Sequence, residues 1–469
     1  MRRRIFAISS LLVVMFLVGG CKTYYQRMQQ FNSYFASGQV DKAAEVLEND
    51  KRSAKRRNRL LYLVNMGMVQ HLLGNHASSN HYFEQAYILG EDYTQSIGDE
   101  ALAIFSNPKM TEYRGEDFEL LMIHYYKAMN FIQLGDYDAA LVECRRLNIK
   151  QNALADKYSS DNRYKRDAFI HNLMGIIYDA SGDYNNAFIA YRNAFDIYEE
   201  DYSKLFGLQA PEQLKRDLLR AAHRTGFSDQ LDFYERKFSM TYTPGNKPNH
   251  GDLVFFWHNG LGPVKNEWSI NFTILRGAGG RVDFVNEELG LAFPFYLPES
   301  GKSSGDLGDL RIIRVAFPKY VQRKPIYSRA RLKVNNQMSE LHLAQNINDI
   351  AFQSLQDRML REMGTALLRL AVKQATEQIV RRENENVGAI LGILNTVTEQ
   401  ADTRNWQTLP HSIHYTRMSL PQGEHRLNLE LLLPNNHTGK TINLNSQIRA
   451  GRTSFINYHT IDSRPPAAK

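Results

Sequence analysis

The fold turns on Met174-Gly175-Ile176-Ile177-Tyr178-Asp179-Ala180-Ser181-Gly182-Asp183-Tyr184-Asn185-Asn186-Ala187-Phe188-Ile189-Ala190-Tyr191-Arg192-Asn193-Ala194. Gly175 and Ala187 are small, as two antiparallel helices need where they touch closely, and Tyr178 and Tyr191 are placed to fill the groove beside them. Gly182 falls where the chain must reverse, and a positive φ there is cheap only for glycine. The stretch therefore predicts a helical hairpin. A second copy has Ala128, Phe131, Gly135-Asp136-Tyr137, Ala140 and Cys144 at the large-aromatic position. Weaker copies run Leu63, Met66-Gly67, Gly74, Phe83, Ala86 and Tyr34, Gly38, Ala43, Leu47.

These spacings, with Tyr184 and Ala194 closing the best unit, resemble the tetratricopeptide (TPR) consensus. The turn glycines at 38, 74, 135 and 182 are 36, 61 and 47 apart, so the array is degenerate and is interrupted near Gly90–Glu116. Ala210-Pro211-Glu212 opens a further helix and Asp229–Phe238 forms another. Residues 21–240 thus read as a TPR-like α-solenoid. Its default use is to bind a protein partner along a concave surface. Cys144 reads as a core residue and not as a nucleophile.

The chain has 469 residues, a net charge of +7 and two cysteines, enough length for two or three domains. Arg2, Arg3 and Arg4 precede the apolar run Ile5–Val18, which as a helix rises about 21 Å, too short for a bilayer core of about 30 Å. Residues 1–20 read as a signal peptide. Leu17-Val18-Gly19-Gly20-Cys21 resembles the lipobox of bacterial lipoproteins, which implies cleavage after Gly20 and acylation of Cys21. Lys22, where inner-membrane retention usually has aspartate, favours the outer membrane. Cleavage removes three arginines and no acid, leaving 54 basic against 50 acidic residues, or +4 over 449. That near-neutral balance removes the argument for a nucleic-acid partner. Lys51, Arg52, Lys55, Arg56, Arg57 and Arg59 concentrate the remaining basic character; they read as a solvated first turn of the next helix or as a contact with anionic head groups or glycan-linked acids.

From about Thr241 the helical period gives way to strands and turns. Residues 241–345 read as a β-rich domain, with strands at Leu253–Trp257, Trp268–Leu275, Leu291–Leu297, Leu310–Phe317 and Tyr327–Leu343. Residues 346–402 read as a helical segment, including the closely spaced Gly388 and Gly392. His411–Leu420, His425–Leu433, Thr441–Gln447 and Thr453–Ile461 form a small antiparallel β unit over 403–462, and 463–469 a disordered tail. The fold class is α+β multidomain: a TPR-like α-solenoid, then a mainly β region with an inserted long helix. Asp402, Arg404 and Trp406 stand within five residues, and could line a surface or ligand contact or pair and pack at the joint.

No reaction is specified by spacing. There is no H-E-x-x-H motif. Gly301-Lys302-Ser303-Ser304-Gly305 has nucleophile-elbow spacing without the flanking strand and helix. Gly439-Lys440-Thr441 lacks the first P-loop glycine, Ser106-Asn107-Pro108-Lys109 lacks its partner motifs, and His411 and His414 fall on opposite faces of a strand. No metal or cofactor is expected. Four features occur together: the lipobox, the repeats, Asn259-Gly-Leu-Gly-Pro-Val-Lys265, and Ala401-Asp-Thr-Arg-Asn-Trp-Gln-Thr-Leu-Pro410 before a β tail. This combination resembles a family of TPR-containing outer-membrane lipoproteins of Gram-negative bacteria. The resemblance implies location and architecture and supplies no catalytic residues. The expected function is a lipid-anchored, periplasm-facing, non-enzymatic adaptor. It would bind envelope proteins through its repeats, and peptidoglycan or glycan is a further candidate partner. The setting would be cell-wall synthesis or assembly of secretion machinery. The alternative is a cell-wall or glycan-active enzyme with its site near Asp402–Trp406.

Overall fold

The computed structural model describes residues 28–51, 53–55, 57–95, 111–155, 164–244, 248–277, 279–296, 311–383 and 401–466. The leader, Gly20, Cys21, Arg52, Arg56, Ser106–Lys109, Ser303 and the Gly388/Gly392 pair lie outside them.

Five helical hairpins open the described chain: α1 (Gln29–Ala36) with α2 (Val40–Asn49), α3 (Arg59–Leu72) with α4 (His76–Gln95), α5 (Asp117–Leu134) with α6 (Tyr137–Ala155), α7 (Ala168–Ser181) with α8 (Tyr184–Ile197), and α9 (Glu212–Thr225) with α10 (Ser228–Phe238). Each turns on a glycine at positive φ, Gly38, Gly74, Gly135, Gly182 and Gly226, between 75° and 87°. The first four are the expected turn glycines; the fifth adds a hairpin that the repeat spacing missed. Helix starts are fixed by side chains. Asp167 accepts from Ile170 N (2.9 Å), Asp183 accepts from Asn186 N (3.1 Å), and Glu116 and Glu119 form a reciprocal capping box. A Cβ added to Gly175 would lie 2.4 Å from the Tyr191 ring, which explains the small residue there.

The C-terminal half contains twelve described strands in three four-stranded sheets. The first has the order β12 (Thr453–Thr460), β1 (His250–Asn259), β9 (Ser412–Pro421), β8 (His342–Asn346). The second has β11 (Thr438–Ile448), β10 (Gly423–Leu432), β6 (Arg329–Val334), β7 (Gln337–Glu340). The third has β4 (Leu291–Tyr296), β3 (Arg281–Asn286), β2 (Val264–Arg276), β5 (Arg311–Val321). Leu253, Phe255 and Trp257 point from β1 into a core shared with Leu332, Leu427, Leu429 and Met418, so the first two sheets form a sandwich. The alternate residues Val254 and Phe256 belong to the helical core. β1 is thus buried on both faces and cannot show the apolar–polar alternation of a half-exposed strand. The third sheet lays Ile270, Phe272, Ile274, Val315 and Phe317 against Met363, Leu367 and Leu370 of α11 (Ile347–Glu383).

The pairing corrects two boundaries. The β unit expected at 403–462 is not self-contained, because β1 pairs with β9 and, in parallel, with β12 (Asp252↔Thr453 to Asn259↔Thr460), while β6 pairs with β10. Strands on either side of the inserted helix supply each other's hydrogen bonds, so 241–345 is not a separate domain either. The tail is also tied down at its start: Leu261 N donates to Ser463 Oγ (2.8 Å) and Arg464 N to Lys324 O (2.8 Å). The expected Tyr327–Leu343 strand is broken into β6, β7 and the start of β8 by a turn at Asn335, φ 53°. Ala401 and Asp402, placed in the helical segment, lie in irregular backbone.

Candidate functional site

The inner face of the hairpin stack is built by first helices and meets the first sheet strand by strand. His71 of α3 accepts at Nε2 from Asn457 Nδ2 of β12 (2.7 Å), and Tyr125 of α5 bonds His258 Nε2 of β1 (2.8 Å). Asn172 of α7 accepts from Tyr415 OH of β9 (3.3 Å), and Tyr198, just after α8, donates to Ala344 O of β8 (2.5 Å). Tyr137 reaches Phe455 edge-on. The surface on which a partner was expected to lie is therefore covered by the chain's own β-sheet. The apolar strands that follow the repeats need a second buried face, and the repeats provide it.

Ala140, Gly175, Ala187, Tyr191 and Ala194 are buried; Tyr137, Tyr178 and Tyr184 are half-buried; and Gly135 and Gly182 are the turns. Cys144 is buried, and burial pushes its thiol well above the ordinary range, which suits a core residue.

One end of the seam carries a charge cluster. Arg417 of β9 contacts Asp179 (3.0 Å), Asp217 (2.9 Å) and Asp252 (3.4 Å), and donates to Tyr191 OH (3.1 Å). Arg220 pairs with Asp252 (2.6 Å) and with Asp179, which Arg224 also reaches (3.1 Å). Burial, helped by neighbouring Arg417, brings the Arg220 guanidinium down to about 9. Burial acts on Arg417 in the same direction, but Asp217, Tyr191 and Asp252 raise it above its ordinary value. This cluster escaped the sequence reading. Its one signal was the single arginine in the otherwise acid-, lysine- and arginine-free run Ser412–Leu420.

Asp402, Arg404 and Trp406 are not a surface contact. Arg404 is 4% exposed and holds Asp402 (2.6 Å), Asn58 Oδ1 (3.2 Å) and Thr111 O (3.1 Å). Trp406 is 1% exposed, between Phe83 and Tyr126, with Nε1 donating to Thr408 Oγ1 (2.7 Å). The pairing and packing alternative is the one observed. A charged cavity of about 390 Å³ adjoins this joint, bounded by Tyr113–Glu116, Lys265, α11 and Asp402. Three of its four lining carboxylates are engaged, Glu116 by Lys265 and Arg358, Glu362 by Arg358 and Asp402 by Arg404, while Glu112 is exposed. Nearby Glu119, raised to about 7 by burial, accepts from Tyr113 OH (2.5 Å), Trp406 N (2.6 Å) and Glu116 N (3.1 Å). These carboxylates hold a joint together, which does not favour acid–base work on a glycan.

In the basic run, Lys51, Lys55 and Arg59 are exposed, whereas Arg57 is half-buried and its carbonyl accepts from Tyr113 N (2.7 Å). His411 bonds Gln322 (3.0 Å) and His414 bonds Ser412 (3.1 Å) and packs on Trp257; burial lowers the two rings to about 4 and about 3. Gly439 adjoins Leu433 and Tyr327 in β11 with no following helix. Among the described residues no group of three or more His, Cys, Asp or Glu is placed to hold a metal ion, and no helix is long and apolar enough to cross a membrane.

No protein-family model matches the chain, and no curated protein does. Among solved structures it is similar to MamA from Desulfovibrio magneticus RS-1 (17% identity, 47% of this chain and 93% of that one, TM-score 0.29). It is also similar to the apo form of RapI (15%, 46% and 68%, 0.33) and to a kinesin-light-chain-type protein with TPR-like repeats from Podosopora anserina (16%, 45% and 96%, 0.29). The repeat architecture rests on the chain's own hairpins and glycine turns.

Proposed function

We propose that the chain is a lipid-anchored adaptor of the Gram-negative envelope. In this reading it is held at Cys21 in the outer membrane, faces the periplasm and serves cell-wall synthesis or assembly of secretion machinery. Its partner docks on the outer face of the third sheet and not in the concavity of the repeats. The observation that carries this reading is the asymmetry of that sheet. One face packs on α11, while Leu275, Tyr296 and Ile312 stand on the other at 43%, 74% and 70% exposure. Asn271, paired with Arg314, and Thr273, paired with Ile312, place an exposed guanidinium on the same face. An apolar patch beside a cation fits a protein surface with an apolar centre and an acidic rim. The inner helical face is already used internally, so a partner must meet a surface such as this one.

The test is a photo-crosslinking residue at position 312 in the native cell, followed by mass spectrometry. Capture of one envelope protein, lost with Arg314→Glu, supports the adaptor. Radiolabelled palmitate incorporation lost in Cys21→Ser supports the anchor, and persistence of the label removes it. Release of muropeptides by residues 22–469, abolished by Asp402→Ala, would overturn the adaptor in favour of an enzyme.

A further inference from the structure

Among the described residues the three sheets end in six edge strands, and five of these are guarded against pairing with another chain. β4 carries Pro294, and β5 carries Pro318 with the cations Arg314 and Lys319. β7 and β8 are four and five residues long. β12 is half-buried along almost its whole length. Proline, charge, shortness and cover are the usual protections of an open edge. β11 has the fewest of them. It is 11 residues long and has a strand on one side only, β10. Apart from the bonds to β10, its backbone is met among the described residues only by Ser454 Oγ, at Gln447 O (3.0 Å). A register shift opposite Leu431/Leu432 and the charge of Lys440 guard its start, but Thr441–Ile448 contains neither a charge nor a proline.

The two faces of this run match themselves. Thr441, Asn443 and Asn445 are exposed on the outside, whereas Ile442 and Leu444 turn towards the sandwich core, opposite Leu429 and Leu427, and stay half-buried with no strand beyond them. Two copies laid antiparallel about a two-fold axis at Asn443 set Ile442 opposite the partner's Leu444 and Thr441 opposite the partner's Asn445. Lys440 then faces the partner's Ser446. Apolar groups meet apolar groups, amides meet hydroxyls and amides, and no like charges oppose each other. A shift by one residue sets Ile442 against the partner's Asn443 and loses the match.

We propose that β11 is the joint of a two-fold symmetric dimer, in which the β11 of a second copy continues the second sheet antiparallel. The self-matching register favours a second copy over the strand of a different protein. The joint goes beyond the adaptor reading and stands without it.

Light scattering on residues 22–469, which keep every described residue, tests it. Expected is a dimer that dissociates on dilution. In Asn443→Lys its dissociation constant should rise by about tenfold or more, because two ammonium groups then face each other across the axis. Asn443 is exposed, so the monomer fold is kept, which circular dichroism checks. The register has its own readout. Asn443→Cys is expected to form an interchain disulfide on oxidation, since directly opposed antiparallel residues stand about 4.5–5.5 Å apart at Cα, within disulfide reach. Thr441→Cys, displaced from the axis, is expected to form none, and Cys144 is buried. A monomer at every concentration, a dimer indifferent to Asn443→Lys, or equal linkage from the two cysteines overturns the joint. So does a disulfide from Asn443→Cys to a different protein with no linked dimer, which would give the edge to another protein's strand.

Discussion

The helices and the sheet are joined by two different chemistries at the two ends of one seam. At the α7–α9 end, three aspartates and two further arginines surround Arg417. At the α3–α5 end, His71, His258 and His459 meet among tyrosines and amides. The ionic end is strong only while all its charges are present, since removing one member leaves the others buried and uncompensated. The imidazole end contributes only while it stays neutral. Arg417→Ala is therefore expected to cost about 3–5 kcal/mol in urea unfolding. Replacing Arg417, Asp179 and Asp217 together by apolar residues of similar volume should recover much of that loss. A cost below about 1 kcal/mol for the single change would show that the sheet is held by its apolar contacts alone.

Acid separates the two ends. Burial, eased by Asn130 but reinforced by His76, lowers His71 to about 4, and burial with neighbouring imidazoles lowers His258 and His459 as well. An imidazole held neutral in the fold but free to protonate at about 6.5 when unfolded costs stability as pH falls from 6.5 towards 4. For His71 the full loss is on the order of 3 kcal/mol below that window. Glu119 works in the opposite sense: raised to about 7, it favours the fold as pH falls from 7 to 4.5. The informative quantity is the difference between the parent and His71→Gln, which keeps hydrogen-bonding groups but cannot titrate. Its unfolding free energy should fall less steeply across that window. Equal slopes would mean that water already reaches the seam and keeps His71 at its ordinary value.

Elements governed by local periodicity were legible in the sequence, and the seam was not. Gly135, Gly182, Ala187 and Tyr191 announce hairpins because a turn and a close helix contact restrict residue type within a few positions. The run Leu253–Trp257 announces a strand, but the identity of its second buried face depends on helices some eighty or more residues away. Arg417 meets Asp252 and Asp179 only after three elements pack, and no spacing records that. For the Asp402–Trp406 segment local spacing allows either a surface contact or pairing at the joint, and only the fold decides: pairing with Asp402 and contacts to Asn58 and Thr111 let Arg404 be buried. Tyr191 links the legible part to the illegible one, as its ring fills the space over Gly175 while its hydroxyl accepts from Arg417. Gly175→Ala would drive that ring towards the cluster. A loss of about 1–3 kcal/mol is expected, less than that of Arg417→Ala and non-additive with it. Additive losses would place the repeat contact and the ionic end in separate units.

The smallest stability effect belongs outside the seam. Ile312 is 70% exposed on the free face of the third sheet, opposite Thr273, where a charge meets water and not protein. Ile312→Glu is expected to change unfolding free energy by no more than about 0.5 kcal/mol, the usual range for a surface change. The same change would set a carboxylate beside Arg314 and in the way of an acidic rim, so crosslinking from a neighbouring position such as 275 should be lost in the cell. A folded variant with unaltered crosslinks would remove the third sheet as the docking face. A variant that unfolds would show instead that this face is covered within the chain, which would make it a third seam and leave the partner to the outer helices.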